Sequence, residues 1–240
     1  MLVSGALAGL VHGSTNLIIV EPYLDRAVEI ENQNLFASGL KDTQAFRAEH
    51  EQYREWQKGG QVLAGVILGI SMGALFGMIF ALSRKSLPAK NNVKKALVLA
   101  GMMWCTVYFI PFLKYPANPP TVGDSETVML RTILYVLFVA ISGLSAIGFY
   151  KMSKMFNGNK RIIVIAGYAI FIGTVFMVMP ENPDNVSAPL DLVNEFRVAS
   201  VLGVSMFWIS VALILGVLWN HYKPHMQITQ NSHSNSKDLE

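Results

Sequence analysis

Three residues near the start of the chain have types and spacing that can do chemistry: His12, Asn16 and Glu21. An imidazole is the commonest side-chain ligand of a transition metal, and divalent first-row cations accept imidazole and carboxylate together. Nine residues separate His12 from Glu21, about 13 Å along a helix at 1.5 Å per residue. That is too far to share one ion. As metal ligands they would be successive stations, Glu21 at the mouth and His12 further in, with Asn16 an orienting or weak oxygen group. The alternative for His12 and Asn16 is a hydrogen bond to a neighbouring helix backbone. Elsewhere reactive groups are sparse. Cys105 lies beside Met102 and Met103 and reads more simply as core. His221, His225 and His233 are thinly spread in a polar tail, where weak metal binding or simple composition accounts for them. There is no GxxxxGK[ST] loop, no HExxH helix and no Cys/His zinc spacing, so neither P-loop ATP binding nor zinc chemistry is expected. One Cys excludes an internal disulfide framework. The chain does not read as an enzyme.

The elements that must hold these residues are membrane spans. Only 15% of the residues are charged, against about 25% in soluble domains. Six apolar runs, over residues 2–20, 61–82, 96–113, 130–150, 162–179 and 198–219, five of them free of Asp, Glu, Lys and Arg and the fourth holding only Arg131 at its start, are each long enough to cross a hydrocarbon core about 30 Å thick. The fold class is therefore an all-α polytopic membrane protein, a bundle of about six transmembrane helices in a single domain over 1–219, with a disordered tail over 220–240. The first run lacks a basic leader and an A-x-A site, which argues for a retained helix; five spans remain if it is removed.

Charge sets the orientation. The loop Ser83–Lys95 carries five basic residues, the loop Lys151–Arg161 carries four, and neither has an acid. Short basic loops face the cytoplasm, so both termini are expected inside. On that topology 14 of the 16 acids lie outside, with 8 bases, and the cytoplasmic side holds 11 bases and 2 acids. An acidic mouth concentrates cations; a basic-inside bias also leaves such a face by default. Within the outer loop, residues 43–59 read as a helix with Phe46, Tyr53 and Trp56 near one face, suited to the membrane interface or to a lid over the bundle.

Gly5, Gly9 and Gly13 recur every four residues in the first span, and Gly65, Gly69, Gly73 and Gly77 do so in the second. Such ridges let two helix backbones approach closely, so these helices are expected to touch each other or a partner, including a second copy of the chain. At about 100° per residue, His12 and Asn16 share that side of the first helix. Pro22 follows Glu21, and prolines crowd the other outer helix ends at Pro111, Pro116, Pro119, Pro120, Pro180 and Pro183. Arg131 and Arg197 stand near the same surface; pairing with a nearby carboxylate, Glu126 and Glu195 being the candidates, is the reading that leaves a cation path unobstructed.

The string Pro111-Phe-Leu-Lys-Tyr-Pro-Ala-Asn-Pro-Pro120, which contains Pro116, Asn118, Pro119 and Pro120, is followed by Val122-Gly123-Asp124, Glu126-Thr127 and Arg131. This pattern resembles the signature of the CbtA family of cobalt transporter A subunits. The opening Gly5-Ala-Leu-Ala-Gly-Leu10 running to Glu21-Pro22 is similar to that family's first helix, and Glu195-Phe-Arg197 with Trp208 to its last. The resemblance implies a multi-pass protein of a prokaryotic cytoplasmic membrane that takes up Co²⁺ as substrate in connection with cobalamin synthesis. It also implies a small single-span, His-rich B subunit as partner, beside the lipid bilayer. Family members are described with five spans, and six are read here. No tightly bound cofactor and no nucleic-acid partner is expected. The leading functional reading is a Co²⁺ permease subunit without its own ATPase; the alternative is a non-transporting scaffold or assembly factor for a metal-uptake complex.

Overall fold

In hydrocarbon a chain must satisfy its own N–H and C=O groups, and a helix does so along its axis. The computed structural model describes residues 1–120, 125–156, 158, 160–184, 186 and 188–222. The tail beyond 222 and the Val122-Gly123-Asp124 portion of the outer motif lie outside the described residues. Among those described there is no strand; the elements are α1 (Leu2–Ile19), α2 (Glu21–Ala37), α3 (Gln44–Ser83), α4 (Asn92–Met103), a π-helical segment (Trp104–Phe109), α5 (Ile110–Lys114), a short 3-10 turn (Ser125–Thr127), α6 (Val128–Ser153), α7 (Lys160–Val178) and α8 (Leu190–Tyr222). Six of these stretches are long and apolar enough to cross a membrane: α1, α3, the continuous Asn92–Lys114, α6, Arg161–Val178 and α8. Large apolar side chains turn outward along them, as with Met177 at 85% exposure on α7, the surface that lipid covers.

The segment between the first two spans differs from the sequence reading in two ways. First, residues 21–37 are helical. Pro22 occupies the opening turn of α2, where its missing N–H has no helical partner to lose, so it starts a helix as well as ending one. Tyr23, Ala27 and Ile30 form the apolar side of α2 and pack on Ala188, Leu192 and Val193. That spacing is helical, but α2 also carries five charges, Glu21, Asp25, Arg26, Glu29 and Glu31, that dominate the local composition. Second, the helix expected over 43–59 is not a separate interfacial element. It is the first part of α3, which runs unbroken for 40 residues, about 60 Å at 1.5 Å per residue. Gly59 and Gly60 carry helical backbone like their neighbours, and no proline interrupts the hydrogen-bond ladder. Thr43 Oγ1 accepts the Phe46 N–H at 3.2 Å and begins the helix. Beside it Arg47 Nε donates to Asp42 at 2.7 Å. That hydrogen bond holds the Asp42 carboxyl below its ordinary value of 3.8. The depressed folded value makes its contribution complete above 3.8 and lost as pH falls through the lower one.

A proline also shapes the third span. Pro111 cannot donate a hydrogen bond, and its ring crowds the carbonyl one turn earlier. The chain widens to π register just before it, with the Ile110 N–H bonded to the Cys105 carbonyl, and Thr106 Oγ1 donates to the Met102 carbonyl at 2.9 Å.

Contacts gather the chain into two compact units. The first takes Met1–Ser14, Gln57–Gly101 and the chain from Ser205. Its seam is glycine on glycine. A Cβ on Gly69 would stand 2.6 Å from Gly9 Cα; on Gly5, 2.9 Å from Gly73 Cα; on Gly13, 2.9 Å from Val62 Cα. The order of these contacts makes α1 and α3 antiparallel. Beyond the seam Phe76 and Phe80 are fully buried, with their rings edge-on to Trp208 and Trp219 of α8. The second unit takes Thr15–Trp56 and Met102–Val204. In it α6 and α7 pack through Leu134, Phe138, Ile172 and Met179 with Tyr115, and the hydroxyls of Ser142 and Tyr168 meet at 3.0 Å.

Because the α1–α3 neighbours are backbone atoms, they cannot yield as a flexible side chain would. Gly69→Leu should lower the melting temperature of the detergent-solubilised protein by the equivalent of roughly 1–3 kcal/mol or more, well beyond Leu75→Ala at an exposed position. Gly60→Ala, with open space at its Cβ, should be neutral or stabilising. A Gly69→Leu protein as stable as wild type would place the ridge out of contact.

Candidate functional site

The polar residues of α1 face α8. His12 is half-buried, with its ring 5.8 Å from that of Phe207 in an edge arrangement. The Asn16 side chain lies over Gly203, in the space a Cβ there would need. The broad side of α1 assigned to the glycines and the polar pair is thus divided. The glycines serve α3, and His12 and Asn16 serve α8.

Glu21 opens α2, is 5% exposed, and is ion-paired to Arg54 of α3. Asp25, one turn further along α2, accepts from the same Arg54 nitrogen, Nη2, at 2.7 Å. Two carboxylates therefore converge on one guanidinium nitrogen. The i, i+4 spacing of Glu21 and Asp25 puts both on one face of α2. Arg54 comes from a helix more than thirty residues away, and no local pattern announces it. Among the described residues no three His, Cys, Asp or Glu side chains gather closely enough to hold a metal ion.

The outer motif forms a second network. Asp184 has no exposed side-chain surface. Its Oδ2 accepts from Arg131 Nη1 at 2.5 Å and from Asn118 Nδ2 at 2.6 Å. Asn118 Oδ1 in turn accepts from Arg197 Nη2 at 2.7 Å, and Arg197 Nε reaches the Ala117 carbonyl. Tyr115 OH donates to the Pro180 carbonyl at 2.7 Å. Pro111 and Pro119 are buried, Pro116 half-buried and Pro120 exposed, as is Glu126. Two stiff proline-rich loops are in this way held together by Asn118 and Asp184.

These pairings correct the expected ones. Arg131 pairs with Asp184, a carboxylate beyond the two expected candidates. Among the described residues no carboxylate pairs directly with Arg197, and Glu195 pairs instead with Arg26 of α2 at 2.9 Å. The reason is helical geometry: Glu195 and Arg197 are two residues apart on α8, and such positions point away from each other. The signal for Asp184 lies in Asn182-Pro183-Asp184. Asn182 Oδ1 accepts the Asp184 N–H, a local turn that asparagine before proline favours.

Burial makes the Arg131–Asp184 pair costly to break singly, roughly 3–5 kcal/mol. Arg131→Ala and Asp184→Ala should each lower the yield and melting temperature of the protein. The Arg131→Met/Asp184→Leu double substitution should recover part of the loss, since it removes both charges of the pair together. Equal losses in the double and in the sum of the singles would show that the two side chains act independently.

A family model described as a probable cobalt transporter subunit (CbtA) matches residues 1–220. No curated protein matches the chain, and no solved structure does. The match takes in the glycine seam, both charge networks and all six apolar helices. The chain belongs to the CbtA family of cobalt transporter subunits and is a multi-pass membrane protein.

Proposed function

We propose that the chain is a Co²⁺ uptake permease subunit of the cytoplasmic membrane, with no ATPase of its own and both termini cytoplasmic. The family match over residues 1–220 is the observation that carries this reading. In it Co²⁺ is cargo. A path must bind its ion firmly enough to admit it and weakly enough to release it, and a scarcity of convergent ligands suits that requirement. Glu21, with Asp25, is the outer oxygen station. Its two oxygens already accept a cationic group, Arg54, which the arriving divalent ion displaces. His12 is the inner nitrogen station, completed by groups from other helices or from a small single-span B subunit. Ni²⁺ outranks Co²⁺ in affinity order, so selection between them comes from geometry.

A second reading is a scaffold that assembles a metal-uptake complex without itself conducting. Uptake of labelled Co²⁺ by proteoliposomes, with and without the chain, separates the two: a scaffold leaves uptake unchanged on its removal. Within the permease reading, Glu21→Gln should raise the Co²⁺ concentration for half-maximal uptake about tenfold, and His12→Ala should lower the maximal rate at equal protein level. Wild-type transport by His12→Ala would return His12 to a packing role against Phe207. Orientation has its own assay. In a Cys105→Ser background, Ser38→Cys should react with an impermeant thiol reagent added outside intact cells and Ser86→Cys should not; the reverse pattern overturns the topology.

A further inference from the structure

The transport reading makes no use of the loop between α3 and α4. From Ser83 to Lys95 the chain carries Arg84, Lys85, Lys90, Lys94 and Lys95 and no acid. A basic-inside bias explains why such residues are there, but not how two of them are placed. Arg84 and Lys95 are half-buried, and their partners are all neutral. Arg84 Nη1 donates to Asn92 Oδ1 at 3.1 Å, Lys95 Nζ donates to the Arg84 carbonyl at 2.8 Å, and Asn92 Nδ2 is held by Asn220 Oδ1 at 2.7 Å. No carboxylate reaches either cation among the described residues. Arg84 also lies 6.0 Å from the centroid of the Trp219 ring. Trp219 is only 9% exposed, and its Nε1–H is buried with no acceptor among the described residues.

Two half-buried cations without a counter-charge, next to a buried indole donor without an acceptor, are a site short of one anion. Burying charge is costly unless it is paired, and the arrangement is oriented: Asn92 and Asn220 fix the guanidinium, and Lys95 is fixed to its backbone. Arg84 offers a planar fork and Lys95 a point charge, the combination that grips phosphate oxygens. The position narrows the source. Arg84 directly follows α3, Lys95 lies in the first turn of α4, and Trp219 is in the last turn of α8, so three apolar helices end here. Indole N–H groups at such ends sit at headgroup level, and basic pockets between helix ends on the cytoplasmic side take anionic lipid headgroups.

We propose that Arg84, Lys95 and Trp219 Nε1 form a binding site for a phosphate-bearing anion, the headgroup phosphodiester of an anionic phospholipid. Lys85, Lys90 and Lys94 are exposed and add potential without geometry. The site is independent of where Co²⁺ passes.

The test uses the purified full chain in detergent, titrated separately with dioleoylphosphatidylglycerol, dioleoylphosphatidylcholine and inorganic phosphate, with bound lipid counted by native mass spectrometry and stability followed by melting temperature. Wild type should bind phosphatidylglycerol in preference to phosphatidylcholine, with a rise in melting temperature. Arg84→Gln and Lys95→Gln should each weaken that binding about tenfold, the loss of one hydrogen bond to a charged group. Lys90→Gln removes the same charge from an exposed position and should leave it unchanged. Trp219→Phe keeps the ring and deletes the donor; it should weaken binding severalfold and carries the test should Arg84→Gln not fold. Inorganic phosphate giving the full effect in wild type, lost in Arg84→Gln, upholds the site and makes a soluble phosphate its ligand. Equal losses in Lys90→Gln and Arg84→Gln reduce the effect to diffuse surface charge and overturn the proposal. So does the absence of selective binding of either anion.

Discussion

Helices in a bilayer gain little by hiding apolar surface from one another, because lipid tails are as apolar as leucine. Their association depends on how closely their backbones can pack. In this protein that requirement is met where α1 lies antiparallel on α3, with Gly5, Gly9 and Gly13 against Gly73, Gly69, Gly65 and Val62. At this distance even a methyl group strikes backbone atoms. The seam fixes which way α1 is rotated, and the rotation turns His12 and Asn16 toward α8. The α1 residues with the most chemistry therefore owe their direction to residues with no side chain.

Charge is handled in the same economical way. Glu21 and Asp25 share one guanidinium nitrogen of Arg54, and a buried Asp184 receives Arg131 and, through Asn118, is linked to Arg197. The Asp184 network ties two proline-rich loops together, and its arginines are held away from open solvent. The outer motif thus has a structural explanation that does not depend on ligating metal: Asn118 bridges Asp184 and Arg197, and the flanking prolines limit the conformations the loops must give up to be held there.

What the residues alone reveal is the part of the structure governed by local composition. Six apolar runs, five of them charge-free, are legible because hydrocarbon forbids unpaired backbone polar groups and disfavours charged side chains over a fixed thickness, and the family signature is legible because its motif is contiguous. The glycine repeat is legible because its period matches the helix. Even α2 left a trace, in the spacing of Tyr23, Ala27 and Ile30, though the five charges of the segment masked it. The π-helical turn before Pro111 follows from a proline's steric demand once the span is known to continue through it.

The partners of the charged residues belong to a different class of information. Arg54 meets Glu21 across 33 positions, and Arg131 meets Asp184 across 53. Nearness in sequence suggested Glu195 for Arg197, yet two residues along a helix is the wrong direction, and Asn118, 79 positions away, lies at the right one. Ion pairs are satisfied by whatever the folded chain brings within a few ångströms, and that depends on helix rotation and loop closure set by packing elsewhere. Length, hydropathy and period are properties of a segment and can be read from it; which carboxylate neutralises which arginine is a property of how the segments are brought together.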